Sequence, residues 1–144
     1  HGRDRRQRQM CIRDRVKEAL PYYRRASSLL PEEPLLRIAL AHALIESTSQ
    51  NNRKILTEAV EHLERALRDE PRSSRIHRLL ATAYGRLGQD SKAKIHLAEE
   101  AVLQRHFAYA TQHVEAVLAV ESEGSAIWIQ AKDILSFIKT VKNG

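Results

Sequence analysis

The segment from Leu56 to Pro71, which reads LTEAVEHLERALRDEP, most constrains how this chain can fold. Its apolar residues recur at helical spacing and form one stripe, comprising Ile55, Ala59, Leu63, Ala66 and Leu67. The other face is charged, with glutamates four residues before arginines, an order that supports a helix. Because two of the stripe residues are small alanines, another helix can approach closely there, and Pro71 helps to end the helix. The segment therefore predicts an amphipathic helix that packs against a neighbouring helix.

The same pattern recurs along the chain. Ala59 and Ala93 are 34 residues apart, which is the period of tetratricopeptide (TPR) repeats, each a helix–turn–helix unit. Ala19 precedes Ala59 by 40 residues, and we assign the extra residues to a polar loop at 47–53. A looser match spans Phe107 to Val120. The recurrence predicts an all-α fold, a TPR-like solenoid of antiparallel helix pairs with about seven helices.

Local signals give approximate bounds for these helices. The predicted ranges are 16–30, 34–46, 56–70, 74–87, 90–104, 107–120 and a last helix after Ser125. Ser73 or Ser74 and Ser125 are predicted N-caps, Asp90 is a predicted N-cap, and Gly88 is predicted to end a helix in the left-handed conformation. Pro21 indicates that regular helix begins or kinks there.

The first fifteen residues differ in composition from the rest. Residues 5–15, RRQRQMCIRDR, resemble a sequencing transposase adapter translated in one frame. We therefore assign 1–15 to a non-native, disordered arm and 16–144 to the helical domain, with a truncated first repeat. A natural basic arm for nucleic acid is the alternative interpretation. However, six arginines and two aspartates in 1–15 supply +4 of the net charge of +6, so the remainder gives little support for a nucleic-acid partner.

Motifs for catalysis or metal binding are missing from the sequence. The one cysteine, Cys11, lies in the adapter-like segment, and no His-Glu-x-x-His motif occurs. His62, His96 and His113 each follow an alanine of the repeat pattern by three residues, and we interpret them as equivalent structural positions. We therefore predict no catalytic residue, metal ligand or cofactor site in this chain. No apolar run approaches the roughly 18 residues of a membrane span.

A protein-binding groove is the function that a TPR array offers. The first helices of the repeats line a concave surface that holds a peptide or another domain. Register places six residues on or near it, namely Arg37, His42, Arg75, Arg78, Thr82 and Arg86. The arginines can meet acidic groups of a partner, and the alternative is a solvated helix face. TPR clamps for a terminal carboxylate use Asn and Lys, and His42 and Thr82 at the Asn positions do not favour that mode.

Four phrases in order carry a more specific resemblance: EEPLLRIALAHALIES, AVEHLERALRDEP, LATAYGRLGQDSKAKIHLAEEAVLQ and EGSAIWIQAKDIL. Over residues 16–144 the sequence resembles the C-terminal region of BepA-like zinc metallopeptidases, the β-barrel assembly-enhancing proteases of metallopeptidase family 48. The resemblance implies a periplasmic protein whose zinc is bound by an N-terminal catalytic domain. It also implies a TPR tail that contacts this protease domain and engages clients of outer-membrane assembly.

This sequence has no zinc motif, so the resemblance assigns no catalytic residue to it. The expected role is the protein-binding tail of such a protease, with protein or peptide clients and the parent's own protease domain as partners. A stand-alone TPR adaptor or chaperone scaffold, in the cytoplasm, is the alternative.

Overall fold

The computed structural model describes the backbone of residues 2–49 and 51–143 and the side chains of 14–49 and 51–143. Within these ranges the chain forms seven helices and no strand. They are α1 (Gly2–Leu29), α2 (Pro34–Ser47), α3 (Arg53–Asp69), α4 (Ser74–Arg86), α5 (Asp90–Leu103), α6 (Phe107–Val120) and α7 (Ala126–Asn143). The predicted all-α, TPR-like fold of about seven helices is confirmed.

The chain divides into two compact units, His1–Glu70 and Pro71–Gly144. In the first unit, α2 packs against both α1 and α3. In the second unit, α4 packs on α5, α5 on α6, and α7 on both α5 and α6. Each helix therefore packs mainly on its neighbours in sequence, as helices of a repeat array do.

The apolar stripe of α3 is the centre of the first unit. Leu56, Ala59, Leu63 and Ala66 are all 0% exposed. The neighbouring α2 contributes Leu40 at 2% and Leu44 at 0% exposed. The prediction that the alanines of this stripe face a packed helix is confirmed.

Small residues also bring the helices of the second unit together. Its core comprises Ile95, Ala98 and Ala101 of α5, Ala110, Val114 and Val117 of α6, and Ala131, Ile134 and Ile138 of α7. On α4, Ile76, Leu80 and Ala83 are fully buried. The alanines allow close approach of the helix backbones, and the larger residues fill the space between them.

The ends of the helices follow most of the predicted signals. The Ser73 hydroxyl accepts a hydrogen bond from the Ile76 amide at 3.2 Å, and the Ser125 hydroxyl accepts one from the Trp128 amide at 3.3 Å. Gly88 has the predicted positive φ, +79°. These contacts satisfy backbone groups that the first turns of α4 and α7 would otherwise leave without partners.

Asp90 is not the N-cap that the sequence predicted. It is the first residue of α5, and Gln89 occupies the cap position without a side-chain hydrogen bond. A carboxylate in the first turn still interacts favourably with the positive end of the helix. Asn52, which was assigned to a loop, caps α3 because its side chain accepts from the Ile55 amide at 3.3 Å, and α3 consequently begins at Arg53.

Helix α1 begins at Gly2, earlier than predicted, and continues through Pro21. Of the segment predicted to be disordered, residues 2–15 lie within the bounds of α1, and residue 1 and the side chains of residues 2–13 lie outside the described residues. The assignment of 1–15 to a separate arm stays a prediction. None of the helices in the described part of the chain combines the length and the apolar character that crossing a membrane requires.

Candidate protein-binding surfaces

One face of α4 carries four of the six predicted groove residues. Their spacing of three or four residues aligns them along the helix, and we call Arg75, Arg78, Thr82 and Arg86 the basic stripe. The first three are exposed and Arg86 is half-buried. On the opposite face, Leu80 is 0% and Tyr84 8% exposed. The second unit therefore presents three arginines along one helix whose other face is fixed in the core.

The arginines of the basic stripe already interact within the chain. The Arg78 Nε donates to the Glu100 carboxylate of α5 at 3.1 Å, and Arg75 and Arg86 also have intramolecular interactions. The Thr82 hydroxyl donates to the Arg78 carbonyl at 3.1 Å. Since the Arg78 side chain is 58% exposed, exchanging its ion pair for one with a partner involves a contact worth only about 0–1 kcal/mol.

The other two predicted groove residues lie in the first unit, and the prediction for Arg37 needs correction. Arg37 is only 6% exposed. Its Nε donates to the Pro31 carbonyl at 2.7 Å, and its Nη1 lies 3.3 Å from the His62 Nδ1. The guanidinium therefore points into the unit, where a carbonyl and an imidazole satisfy it. The His42 side chain is 46% exposed, and its Nε2 lies 3.6 Å from the Glu46 carboxylate.

Polar groups around Arg37 connect the three helices of the first unit. Because arginine only donates, the His62 Nδ1 accepts, and its Nε2 faces the Glu58 carboxylate at 3.7 Å. Glu58 in turn pairs with the guanidinium of Arg24 on α1. Burial lowers the pKa of His62, and the nearby Glu58 opposes this effect. The network stabilises the unit and leaves Arg37 in a structural role.

A cleft that the sequence analysis missed lies in the second unit. It has a volume of about 630 Å³ and is lined by α5, the α5–α6 turn and α7, together with Arg72. Val102, Phe107 and Phe137 supply apolar surface, and Glu99 is among the charged residues that surround them. Burial raises the pKa of Glu99. Phe137 is 53% exposed and lies outside the apolar stripe of α7, which is the signal that could have indicated the cleft.

A second apolar surface lies on α1. Val16, Ala19, Tyr23 and Ala26 precede the fully buried stripe residues of α3 by 40 positions each. In α1 none of the four is buried, and Tyr23 is 36% exposed. The neighbouring Tyr22 is 77% exposed. Exposed apolar patches of this kind mark protein contact sites.

The side chains that the structure describes include no group of three or more His, Cys, Asp or Glu arranged to hold a metal ion. The geometry of this part of the chain is that of helix faces and clefts. Its side chains form ion pairs and apolar contacts within the chain.

Comparison with known proteins supports the interpretation of these helices as TPR-like. The chain is similar to a TPR repeat-containing thioredoxin, TTL4, from Arabidopsis thaliana, with 40% identity over 94 residues. The alignment covers 61% of this chain and 13% of that protein, so this chain spans a small part of its relative's length. No family model and no solved structure matches the chain. The similarity, the 34-residue recurrence and the paired helices together indicate a TPR-like region with a role in protein–protein interaction.

Proposed function

We propose that this TPR-like region binds an acidic segment of a partner protein along the basic stripe of α4. The observation that carries the proposal is the alignment of three arginines on one face of a helix whose opposite face is buried in the second unit. Individual exposed charge pairs contribute little, but several that act together and are partly desolvated contribute more and depend on salt. The cleft beside α7 supplies apolar surface within the same unit.

We further propose that the region is the tail of a BepA-like, periplasmic zinc metallopeptidase that acts in outer-membrane protein assembly and quality control. The order of the four sequence phrases over residues 16–144 supports this parent. The proposed partners are the parent's protease domain and its protein clients. Zinc would be bound by the catalytic domain, since the described side chains of this chain offer no three-ligand group that fits it. No catalytic step is assigned to these residues.

A second candidate function is a stand-alone adaptor or chaperone scaffold in the cytoplasm. The similarity to a TPR repeat-containing thioredoxin favours it, because a related sequence occurs in a protein named for a different domain. In this case the basic stripe would bind an acidic peptide with no protease involved.

Calorimetric titration tests both candidates. Residues 16–144 are titrated with a separately produced BepA-like protease domain, with an unfolded outer-membrane β-barrel protein, and with a poly-glutamate peptide. The triple variant R75E/R78E/R86E should bind at least about tenfold more weakly at low salt than the wild type. A matched control reverses three exposed arginines elsewhere, Arg25, Arg53 and Arg68, and should bind as the wild type does.

The outcomes separate the proposals. Equal binding by both triple variants would show that the basic stripe is only a solvated face. Binding of poly-glutamate without binding of the protease domain or the barrel protein would contradict the BepA-like parent and favour the adaptor.

A further inference from the structure

Two histidines of the second unit form a buried pair that joins α4 to α5. His77 and His96 are 5% and 8% exposed, and their Nδ1 atoms are 3.0 Å apart. The Nε2 of His77 lies 3.2 Å from the Pro71 carbonyl oxygen. Tyr84 stacks on the His96 ring, with 5.6 Å between the ring centroids and 5° between the planes. The pair is thus enclosed by packed side chains of both helices.

The contact atoms determine where the protons lie. A carbonyl oxygen can only accept, so the His77 Nε2 carries a hydrogen. When both rings are neutral, the His77 Nδ1 is therefore an acceptor, and the His96 Nδ1–H donates to it. When the pair holds one extra proton, either ring can be the cation and still donate from its Nδ1 to the other. The hydrogen bond survives in both of these states.

A second extra proton removes the bond. Both Nδ1 atoms would then carry hydrogens and face each other at 3.0 Å. Two cations would also lie in a site with ring centroids only 5.3 Å apart and little access to water. The two rings can only move apart, and since they lie on different helices, this separation moves α4 away from α5.

The surroundings of the pair disfavour a charge on His96. The ammonium group of Lys92, which lies 5.3 Å from the centroid of the Tyr84 ring, opposes a charge on His96. Glu99, also on α5, interacts electrostatically with His77. Burial, His77 and Lys92 lower the pKa of His96 to about 4, and within the described part of the chain no group of α6 or α7 contributes to this shift. A positive charge on His96 is therefore strongly disfavoured.

The equivalent position in the first unit shows that the layout belongs to the repeat. Arg37 lies six residues after Pro31 and bonds its carbonyl, as His77 does with Pro71. Arg37 also contacts His62 on α3, as His77 contacts His96 on α5. The first unit has a permanent cation at this position, whereas the second unit has a second titratable ring. In the first unit a single proton on the His62 Nδ1 would already face a cation, whereas the second unit reaches two facing cations only after it takes up two protons.

We propose that the His77–His96 pair is a proton-operated latch, which holds α4 on α5 with no or one extra proton and releases it with two. The Arg78–Glu100 ion pair also joins these helices, so release would alter the basic stripe. That consequence rests on the proposed function, whereas the latch itself does not.

An imidazole NMR titration of the full chain tests the latch without any binding partner. The pair should take up its two protons in two separated steps, and the hydrogen-exchange protection of α4 and α5 should fall together with the second step. In H77Q the glutamine oxygen can accept from the His96 Nδ1–H whether or not that ring is charged. In H96Q the glutamine NH₂ group can donate to the neutral His77 Nδ1, and the glutamine oxygen can accept from the charged ring. In each variant, α4 and α5 should therefore keep their hydrogen-exchange protection down to a pH about one unit or more below the pH at which the wild type loses it.

H42Q is the matched control, because it removes a histidine of the first unit and should leave the opening of α4 and α5 unchanged. A single wild-type step for both rings with protection retained would overturn the proposal. The proposal would also be overturned if α4 and α5 lost their protection in H77Q and H96Q at the same pH as in the wild type. The wild-type titration decides the question even if one of the two variants does not fold.

Discussion

Leu63 shows how much one buried side chain contributes to the first unit. It is 0% exposed in the stripe of α3, so L63A leaves a cavity that close-packed neighbours fill only in part. We expect a loss of about 2–5 kcal/mol in the free energy of unfolding, measured by urea denaturation. The control is L35A, since Leu35 is 64% exposed and its truncation should change stability by at most about 0.5 kcal/mol. Equal effects of the two changes would contradict the assigned core.

Alanine substitutions at two glycines near the end of α4 should change the stability in opposite directions. Gly88 has φ +79° and open space around its missing Cβ, so G88A should cost about 1–2 kcal/mol through backbone strain alone. Gly85 lies inside the helix, where a Cβ would meet Ala93 at an ordinary 3.9 Å. G85A should therefore stabilise by about 0.5–1 kcal/mol. Thermal melts of both variants check this, and a stabilising G88A would show that the left-handed conformation is not required.

Arg105 is a residue whose conformation the sequence could not reveal. It has φ 62°, where glycine is the usual residue. The turn is closed because the His106 amide donates to the Ala101 carbonyl at 2.8 Å, and the guanidinium lies 5.8 Å from the centroid of the Phe107 ring. Gly88 was predictable as a left-handed stop because its residue type indicates the conformation. The residue type of Arg105 gives no such indication.

At the scale of helix pairs, the pKa of His96 predicts acid sensitivity of the α4–α5 pair. Its folded-state pKa is about 4, below the ordinary 6.5. Between pH 4 and 6.5 the unfolded chain therefore binds more protons than the folded chain does. The contribution of His96 to stability is therefore complete above about pH 6.5 and is lost as the pH falls towards 4, by about 3 kcal/mol in all. Urea denaturation at about pH 7 and about pH 4.5 should show the loss.

The variant H96Q is the control for this pH dependence. It should reduce the acid loss, with a remainder from His62 and His113, whose pKa values are also lowered. Glu99 acts in the opposite direction, since its raised pKa makes its contribution largest at low pH. An unchanged acid loss in H96Q would assign the effect to other groups.

Most helices could be predicted because their signals are local. α6 has the predicted bounds, 107–120, and the caps of α4 and α7 are the predicted serines. The cap of α5 was wrong by one residue, since Gln89 and Asp90 are adjacent and composition alone favours the aspartate. The continuation of α1 through Pro21 was not expected from the sequence. It is possible because a proline inside a helix removes one hydrogen bond without necessarily ending the helix.

The adapter-like segment gives a prediction about α1. We expect that deletion of residues 1–15 changes the melting temperature little, because the sequence assigns this segment to a non-native arm. The measurement is a thermal melt by circular dichroism of 16–144 against the whole chain. A fall of several degrees in the melting temperature would show that the segment belongs to the fold.

At the scale of the whole molecule, the candidate site was predicted only in part. The register of α4 placed the exposed arginines on one face, because a 3.6-residue period fixes which residues share it. It could not show that Arg37 turns inward to Pro31 and His62, since that depends on partners in other segments. The cleft of α5 and α7 and the His77–His96 contact join residues distant in sequence, so periodicity did not reveal them.

The division of the chain leads to the last prediction, that residues 71–144 fold without the rest. The second unit has its own apolar core, formed by α5, α6 and α7, and α4 adds Ile76 and Leu80, both 0% exposed. Because these contacts lie within Pro71–Gly144, the isolated segment should keep its helical circular dichroism and unfold cooperatively in urea. The control is 90–144, which lacks α4, uncovers one face of α5 and should lose cooperativity. A non-cooperative 71–144 segment would show that its core is too small to be stable alone.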